Sequence, residues 1–384
     1  MNRKQPSRVE QGFADDMVEV ESDLPAHSGL RKAVNFASET LLERYRRADR
    51  GAIHQQAWHR RMAALAALLG TLAVVVAIIQ LSELIPGPMP RNVEITAVVV
   101  SLAAVGLGAT LAFQRRWLLE RHKAERGRLL KFAFLTNPEF WCAAPAGQAQ
   151  RQTQLEQDAE AVCNLLPHNM EHWFRADLAA ESPAVRMNCA TDDGTLRAVV
   201  EYYRKRRLGN QINFFSDRCA RDEARQKLTW RFPSWLFFAS IAAALLHFVL
   251  DLQHHETTRS NDVGREASIT NADTQNAKSE GDHAGNGEKT KTVSVLLIVL
   301  AAGLPALGAG IRTYRSTYEF ARNAMRYEAK LLALRRLDES LAAELAAGPM
   351  NARRTFHHLW CCEQVLELEH REWLRLMIEA EWYG

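Results

Sequence analysis

The sequence predicts an all-α membrane protein with two transmembrane helical hairpins and long cytoplasmic juxtamembrane helices. Three observations predict it. Four apolar runs are long enough to cross a bilayer, arginines cluster at one end of each run, and the charged segments between them keep helical periodicity. The averages conceal this. Across 384 residues the chain is 47% hydrophobic, with a mean hydropathy of −0.25 that suits a soluble protein. The apolar residues are concentrated in the four runs, and charge fills the rest. A net charge of +3 is too slight to argue for nucleic acid as a partner.

The first run is residues 62–81, without a formal charge, and the second is residues 95–113. The third, residues 234–250, carries one ionisable group, His247; the fourth is residues 293–311. A helix needs about 17–25 apolar residues to cross the hydrocarbon core. The competing reading, buried helices of a large soluble protein, does not account for the arginines flanking all four. Arg60 and Arg61 precede the first run, and Arg115, Arg116, Arg121 and Lys123 follow the second. Arg225, Lys227 and Arg231 precede the third, and Arg312 and Arg315 follow the fourth. The intervening turn between the first pair carries only Arg91, and residues 253–292 hold more acidic than basic residues. The bias places both termini and the central segment in the cytoplasm. All six cysteines then fall on the cytoplasmic side, where no structural disulfide is implied.

The organisation follows. Residues 1–30 read as a flexible acidic arm, residues 31–135 as a first unit, and residues 136–198 as a cytoplasmic connector rich in proline. Residues 199–384 read as a second unit of the same plan, with its outer loop, 253–292, too polar to fold. Sequence likeness between the halves is slight, Arg128-Leu-Leu against Lys330-Leu-Leu.

Several side chains invite a role. Ala302, Ala306 and Gly310 recur at four-residue spacing, with Pro305 and Gly308 beside them, a face on which helices can approach closely in lipid. Arg204, Lys205, Arg206 and Arg207 form a basic tetrad beside the third run. Anionic lipid headgroups suit it better than nucleic acid. His247, near the outer end of its run, is expected to snorkel to the interface. Near the C-terminus, Leu359, Cys362, Leu366, Trp373, Met377 and Ala380 share a helical face. Glu369 and Trp373 are one turn apart there and are expected to dock this helix near Trp117 and Tyr318. Three enzyme-like or metal-binding patterns are set aside. His168-Asn-Met-Glu171-His172 has the spacing of an inverted zinc peptidase but lacks a third ligand downstream. The string from Gly281 to Thr290 fails the spacing of a phosphate-binding loop, and His254-His255-Glu256 is a cluster that polar tracts produce by chance. No catalytic residue, cofactor or resident metal is expected.

The stretches Tyr45-Arg-Arg-Ala-Asp49, Trp117-Leu-Leu-Glu120-Arg121, His172-Trp173-Phe-Arg175, Gln211-Ile212, Gly303-Leu-Pro305-Ala306-Leu-Gly308-Ala-Gly310-Ile-Arg312 and Glu369-His-Arg-Glu-Trp373 together resemble the SLATT group of bacterial membrane proteins in its tandem, four-span form. The resemblance covers residues 40–382. It implies a multi-pass inner-membrane effector of bacterial conflict and antiviral defence systems. Such a protein oligomerises and perforates or depolarises the membrane when triggered. Similar proteins often carry a SLOG or TIR sensor ahead of the spans, so the sensor here is expected to be a separate partner. The alternative is a non-conducting scaffold that recruits a cytoplasmic partner through its helices.

Overall fold

The computed structural model describes residues 16–18, 25–81, 89–167, 173, 182–186, 191–268, 284–318 and 320–382. Among the described residues there is no strand. The helices are α1 (Ser28–Leu81), α2 (Met89–Thr110), α3 (Phe113–Leu135), α4 (Pro138–Cys142) and α5 (Pro145–Cys163). They are followed by α6 (Asp193–Tyr203), a π-helical turn (Arg204–Leu208), α7 (Gly209–Ser268), α8 (Ala284–Tyr318), α9 (Phe320–Ala346) and α10 (Ala352–Trp382). Four helical stretches are long and apolar enough to cross a membrane.

Local chemistry sets the helix ends. Residues 111–112 form a turn between α2 and α3, so the second apolar run does not pass unbroken into the charged helix that follows it. Ala112 adopts φ 49° there, a left-handed conformation that costs a residue with a Cβ roughly 1–2 kcal/mol. The preceding Thr110 hydroxyl donates to the Gly106 carbonyl at 2.9 Å, a back-bond that loosens a helix end. Asn137 accepts from the Glu139 N–H at the start of α4, and Asp192 accepts from the Thr195 N–H at the start of α6. Gly348, at φ 99°, closes the turn between α9 and α10, where a side chain would be strained.

The chain forms two compact units, and their membership departs from the expected halves. One comprises Met1–Arg60, Leu111–Glu223 and Ala321–Gly384; the other comprises Arg61–Thr110 and Ala224–Phe320. Residues 31–135 and 199–384 each contribute to both units. Chain order is a poor guide when apolar and charged stretches of one helix pack with different neighbours.

The first unit is a helical assembly with a continuous core. Leu30, Val34, Ala37, Leu41 and Tyr45 form the buried stripe of α1, at spacings of three and four. They share a cluster with Phe132 and Leu135 of α3, Val199, Val200 and Tyr203 of α6, Leu334 and Leu341 of α9, and Phe356, Leu359 and Cys362 of α10. The acidic arm is not wholly apart from this core. Asp16 and Met17 are fully buried, and Met17 belongs to the cluster.

The second unit holds the apolar helical stretches. Its helices meet through small residues and hydroxyls: Ser101 donates to the Ala66 carbonyl at 3.0 Å, and Ser240 donates to the Ala301 carbonyl at 2.7 Å. A Cβ on Gly70 would lie 3.6 Å from the Ser101 hydroxyl, and one on Gly308 would lie 3.7 Å from the Pro233 carbonyl oxygen. The most apolar windows are only 11–12% buried. Leu68, Leu102, Trp235 and Phe238 project outward, a pattern that water would not tolerate over so large a surface.

The outer loop also differs from expectation. α7 continues to Ser268 and α8 begins at Ala284, leaving residues 269–283 outside the described set. In sequence, Glu256, Arg259, Asp262 and Arg265 alternate in sign every three residues, a pattern that supports a solvated helix with no apolar core.

Candidate functional site

The helical unit encloses a cluster of charge. Glu125, Arg128 and Lys131 lie at three-residue intervals on α3, and Phe132 lies beside them. Tyr203 ends α6, the π turn carries Arg206 and Arg207, and Asn210 and Gln211 open α7. A π turn inserts an extra residue per turn, and in this one Arg206 and Arg207 are both buried. α10 contributes Glu363.

Glu363 is the fixed acceptor. Arg207 grips it with two parallel bonds, Nε to Oε1 at 3.0 Å and Nη2 to Oε2 at 3.1 Å, and the Tyr203 hydroxyl donates to Oε1 at 2.6 Å. Such bidentate pairs are the strong ones. Arg128 donates to Glu125 at 2.9 Å and to the Tyr45 hydroxyl at 2.8 Å. Arg121 also reaches Glu125, at 2.6 Å.

Asp16 completes the cluster. Its carboxylate accepts from Asn210 at 2.6 Å, Gln211 at 3.1 Å and Arg207 at 3.2 Å, with the Arg128 Nε 3.7 Å away. Lys131 donates to its backbone carbonyl at 2.7 Å, and Arg206 donates to the Val18 carbonyl at 2.5 Å. The Phe132 ring lies 4.8 Å from the Arg207 guanidinium, an added cation–π attraction.

Burial opposes charge on these groups, and pairing overrides it. Burial works against the Arg128 guanidinium, yet Glu125, Tyr45 and Asp16 together raise its pKa. The same opposition holds for Arg207, where Glu363 and Asp16 outweigh burial. Burial would raise the Glu125 carboxyl, but Arg128 and Arg121 bring it down to about 2. Burial and the neighbouring Glu363 push the Tyr203 phenol well above its usual value.

A second cluster surrounds the terminal helix. Trp373 of α10 lies edge-on to Trp117 of α3, with ring centroids 5.9 Å apart, and Trp117 stacks on His59. Trp373 stacks on His370, His370 on His122 at 5.2 Å, and His122 on the buried Trp173. His122 and His370 share a hydrogen bond at 2.9 Å. Burial, reinforced by each histidine's cationic neighbours, lowers His370 to about 4 and His122 well below its usual value. Burial, with Glu125 near, raises the Glu369 carboxyl to about 7. The side chain of Tyr318, the other expected neighbour of this helix, lies outside the described residues.

The remaining sequence candidates are scattered. Arg206 and Arg207 are buried and bonded to protein groups, so the expected headgroup contact is corrected for both. Arg204 is engaged with Asp338 at 2.7 and 3.1 Å; Lys205 is exposed. On α8, Gly308 is buried, Ala306 is half-buried, and Ala302, Pro305 and Gly310 are exposed. His247 is half-buried within α7. His168, Glu171 and His172 lie outside the described residues. Among those described, no three His, Cys, Asp or Glu side chains gather to hold a metal. Cys142 is disulfide-bonded, contrary to the expectation of no structural disulfide, while Cys163, Cys219, Cys361 and Cys362 are free.

Sequence reasoning passed over Asp16, Glu125, Arg128 and Glu363. One signal was available: Glu363 and Glu367 interrupt the apolar face formed by Leu359, Cys362 and Leu366, and a charge on a core face requires a partner. Comparison with protein-family models, curated proteins and solved structures finds no match for this chain.

Proposed function

We propose that this protein is a multi-pass, non-enzymatic effector of the bacterial inner membrane, acting in a conflict or defence system. In this reading it forms two hairpins with cytoplasmic juxtamembrane helices. It assembles with copies of itself and perturbs permeability when a separate SLOG, TIR or nucleotide-sensing partner triggers it. The observation that carries the membrane part is the apolar surface of the second unit: its most apolar windows are only 11–12% buried, so lipid or other copies must cover them. The effector part rests on the resemblance to the SLATT group.

One observation favours the alternative, a non-conducting scaffold. The span hydroxyls of Ser101 and Ser240 are spent on the carbonyls of neighbouring helices rather than arrayed along a polar stripe, as an aqueous path would need. A potential-sensitive dye in cells expressing the chain with its genomic neighbour separates the two. The effector depolarises the membrane; the scaffold leaves the potential intact. Ala302→Leu, on the exposed small-residue face of α8, should suppress depolarisation and leave the membrane-fraction level unchanged. Full depolarisation by that variant would remove this face from the assembly.

Orientation rests on the arginine bias, whereas a disulfide at Cys142 suits an oxidising compartment. Cys163 is free and exposed, which makes it the native reporter. It should resist a membrane-impermeant thiol reagent in intact spheroplasts, while Ser260→Cys should react. Labelling of Cys163 without lysis would invert the topology.

A further inference from the structure

The charge cluster has two kinds of carboxylate. Glu125 and Glu363 belong to helices and stay with the fold. Asp16 lies ahead of the first helix, and with Met17 and Val18 it is gripped at four distinct features. Its carboxylate takes Asn210, Gln211 and Arg207. Its own carbonyl takes Lys131, and the Val18 carbonyl takes Arg206. The Met17 side chain is fully buried in the core cluster. A plain anion site would need only the first of these. Recognition of two backbone carbonyls and an apolar side chain is recognition of a peptide.

Two of the gripping cations do not depend on the segment alone. When the segment leaves, Arg207 keeps its bidentate hold on Glu363 and Arg128 keeps Glu125, so neither guanidinium is stranded. Arg128, Lys131, Arg206 and Arg207 all contact residues 16–18, four cations gathered on acidic chain.

We propose that this cleft is a binding site for an acidic, methionine-containing peptide, filled in cis by residues 16–18 and exchangeable with the same sequence supplied in trans.

The full-length protein in lipid nanodiscs tests this with a fluorescent peptide of residues 12–22. The wild type, already filled, should bind the peptide weakly. A full-length Asp16→Arg, Met17→Asp variant, whose own segment cannot seat, should bind it at least about tenfold more tightly. Replacing Asp16 by Asn within the peptide should cost about tenfold or more, the loss of a charge-assisted contact set. Equal binding by wild type and variant would overturn the proposal. So would displacement by inorganic phosphate at concentrations equal to the peptide, together with indifference to Met17→Ser in the peptide, which would leave an ion site only. Because the double variant could misfold, Met17→Cys in the otherwise wild-type chain gives a second reading. Its thiol should label slowly, and labelling should accelerate as free peptide competes the segment out. A rate independent of added peptide would overturn exchange.

Discussion

Arg207 is 3% exposed in one unit, while Phe238 is 65% exposed in the other. The helical unit places charge inside and satisfies it with Glu363, Asp16, Tyr203 and Tyr45. The apolar unit places hydrocarbon outside and uses its few hydroxyls to tie helix to helix. The same chemistry runs both, under different solvents. Where water surrounds the fold, apolar burial is the driving force and buried charge is permitted only when paired. Where lipid surrounds it, burying a leucine gains little, and small residues and hydroxyl bonds take over the packing.

The largest test of this contrast removes the fixed carboxylate. Glu363→Ala leaves Arg207 buried with Asp16 as its remaining described carboxylate and should cost the helical unit about 3–5 kcal/mol. Unfolding followed by tryptophan fluorescence in mild detergent measures it. A cost below about 1 kcal/mol would mean that the charge cluster is not a structural element of this unit.

A smaller effect is expected in the apolar unit. Gly308→Leu introduces a side chain where even a Cβ would sit 3.7 Å from the Pro233 carbonyl oxygen. Overpacking of this kind costs about 1–3 kcal/mol. Leu102→Ala, at a site 66% exposed, should cost well under that in a bilayer. Similar losses for both, read by retention of the folded band on heating in detergent, would erase the distinction between protein-facing and lipid-facing positions.

The smallest effect is a pH dependence at the docked terminal helix. Glu369 faces Glu125, Arg326, Lys330 and Arg121, and its carboxyl is raised to about 7. A raised carboxyl favours its neutral form in the fold. Its contribution is therefore complete below the ordinary 4.5 and is lost as pH rises through about 7. Glu369→Gln, neutral throughout, should gain on the wild type as pH increases from 5 to 8. His370 carries the opposite sign: its lowered value supports the fold above about 6.5 and ceases to do so as pH falls through about 4, and His122, lowered by burial, acts in the same direction. The variant should keep that acid loss. Thermal unfolding curves across the range report both, and parallel curves for variant and wild type would remove Glu369 from the account.

How much of this was legible in the sequence depends on how locally each feature is specified. Apolar runs of bilayer length are properties of consecutive residues, and so is the helical stripe from Leu30 to Tyr45. Both can be read without knowing any partner. Polarity alone suggests disorder beyond residue 253, whereas the charge alternation from Glu256 to Arg265 points to the helix that α7 forms as far as Ser268. The disulfide at Cys142 runs against an inference from compartment, since the arginine bias puts every cysteine on the side where thiols stay reduced.

The sequence by itself determined the helical class and the four membrane-length segments, because hydropathy and helical period act over one or two turns. The tertiary structure alone decided what the charges do. Four adjacent cations read as a uniform basic patch, yet a π turn divides them, leaving Lys205 exposed and burying Arg206 and Arg207 against partners far along the chain. Asp16 lies 191 residues from Arg207. Nothing local marks the pair, since an aspartate in an acidic arm and an arginine in a basic tetrad each resemble their neighbours until the fold brings them within 3.2 Å.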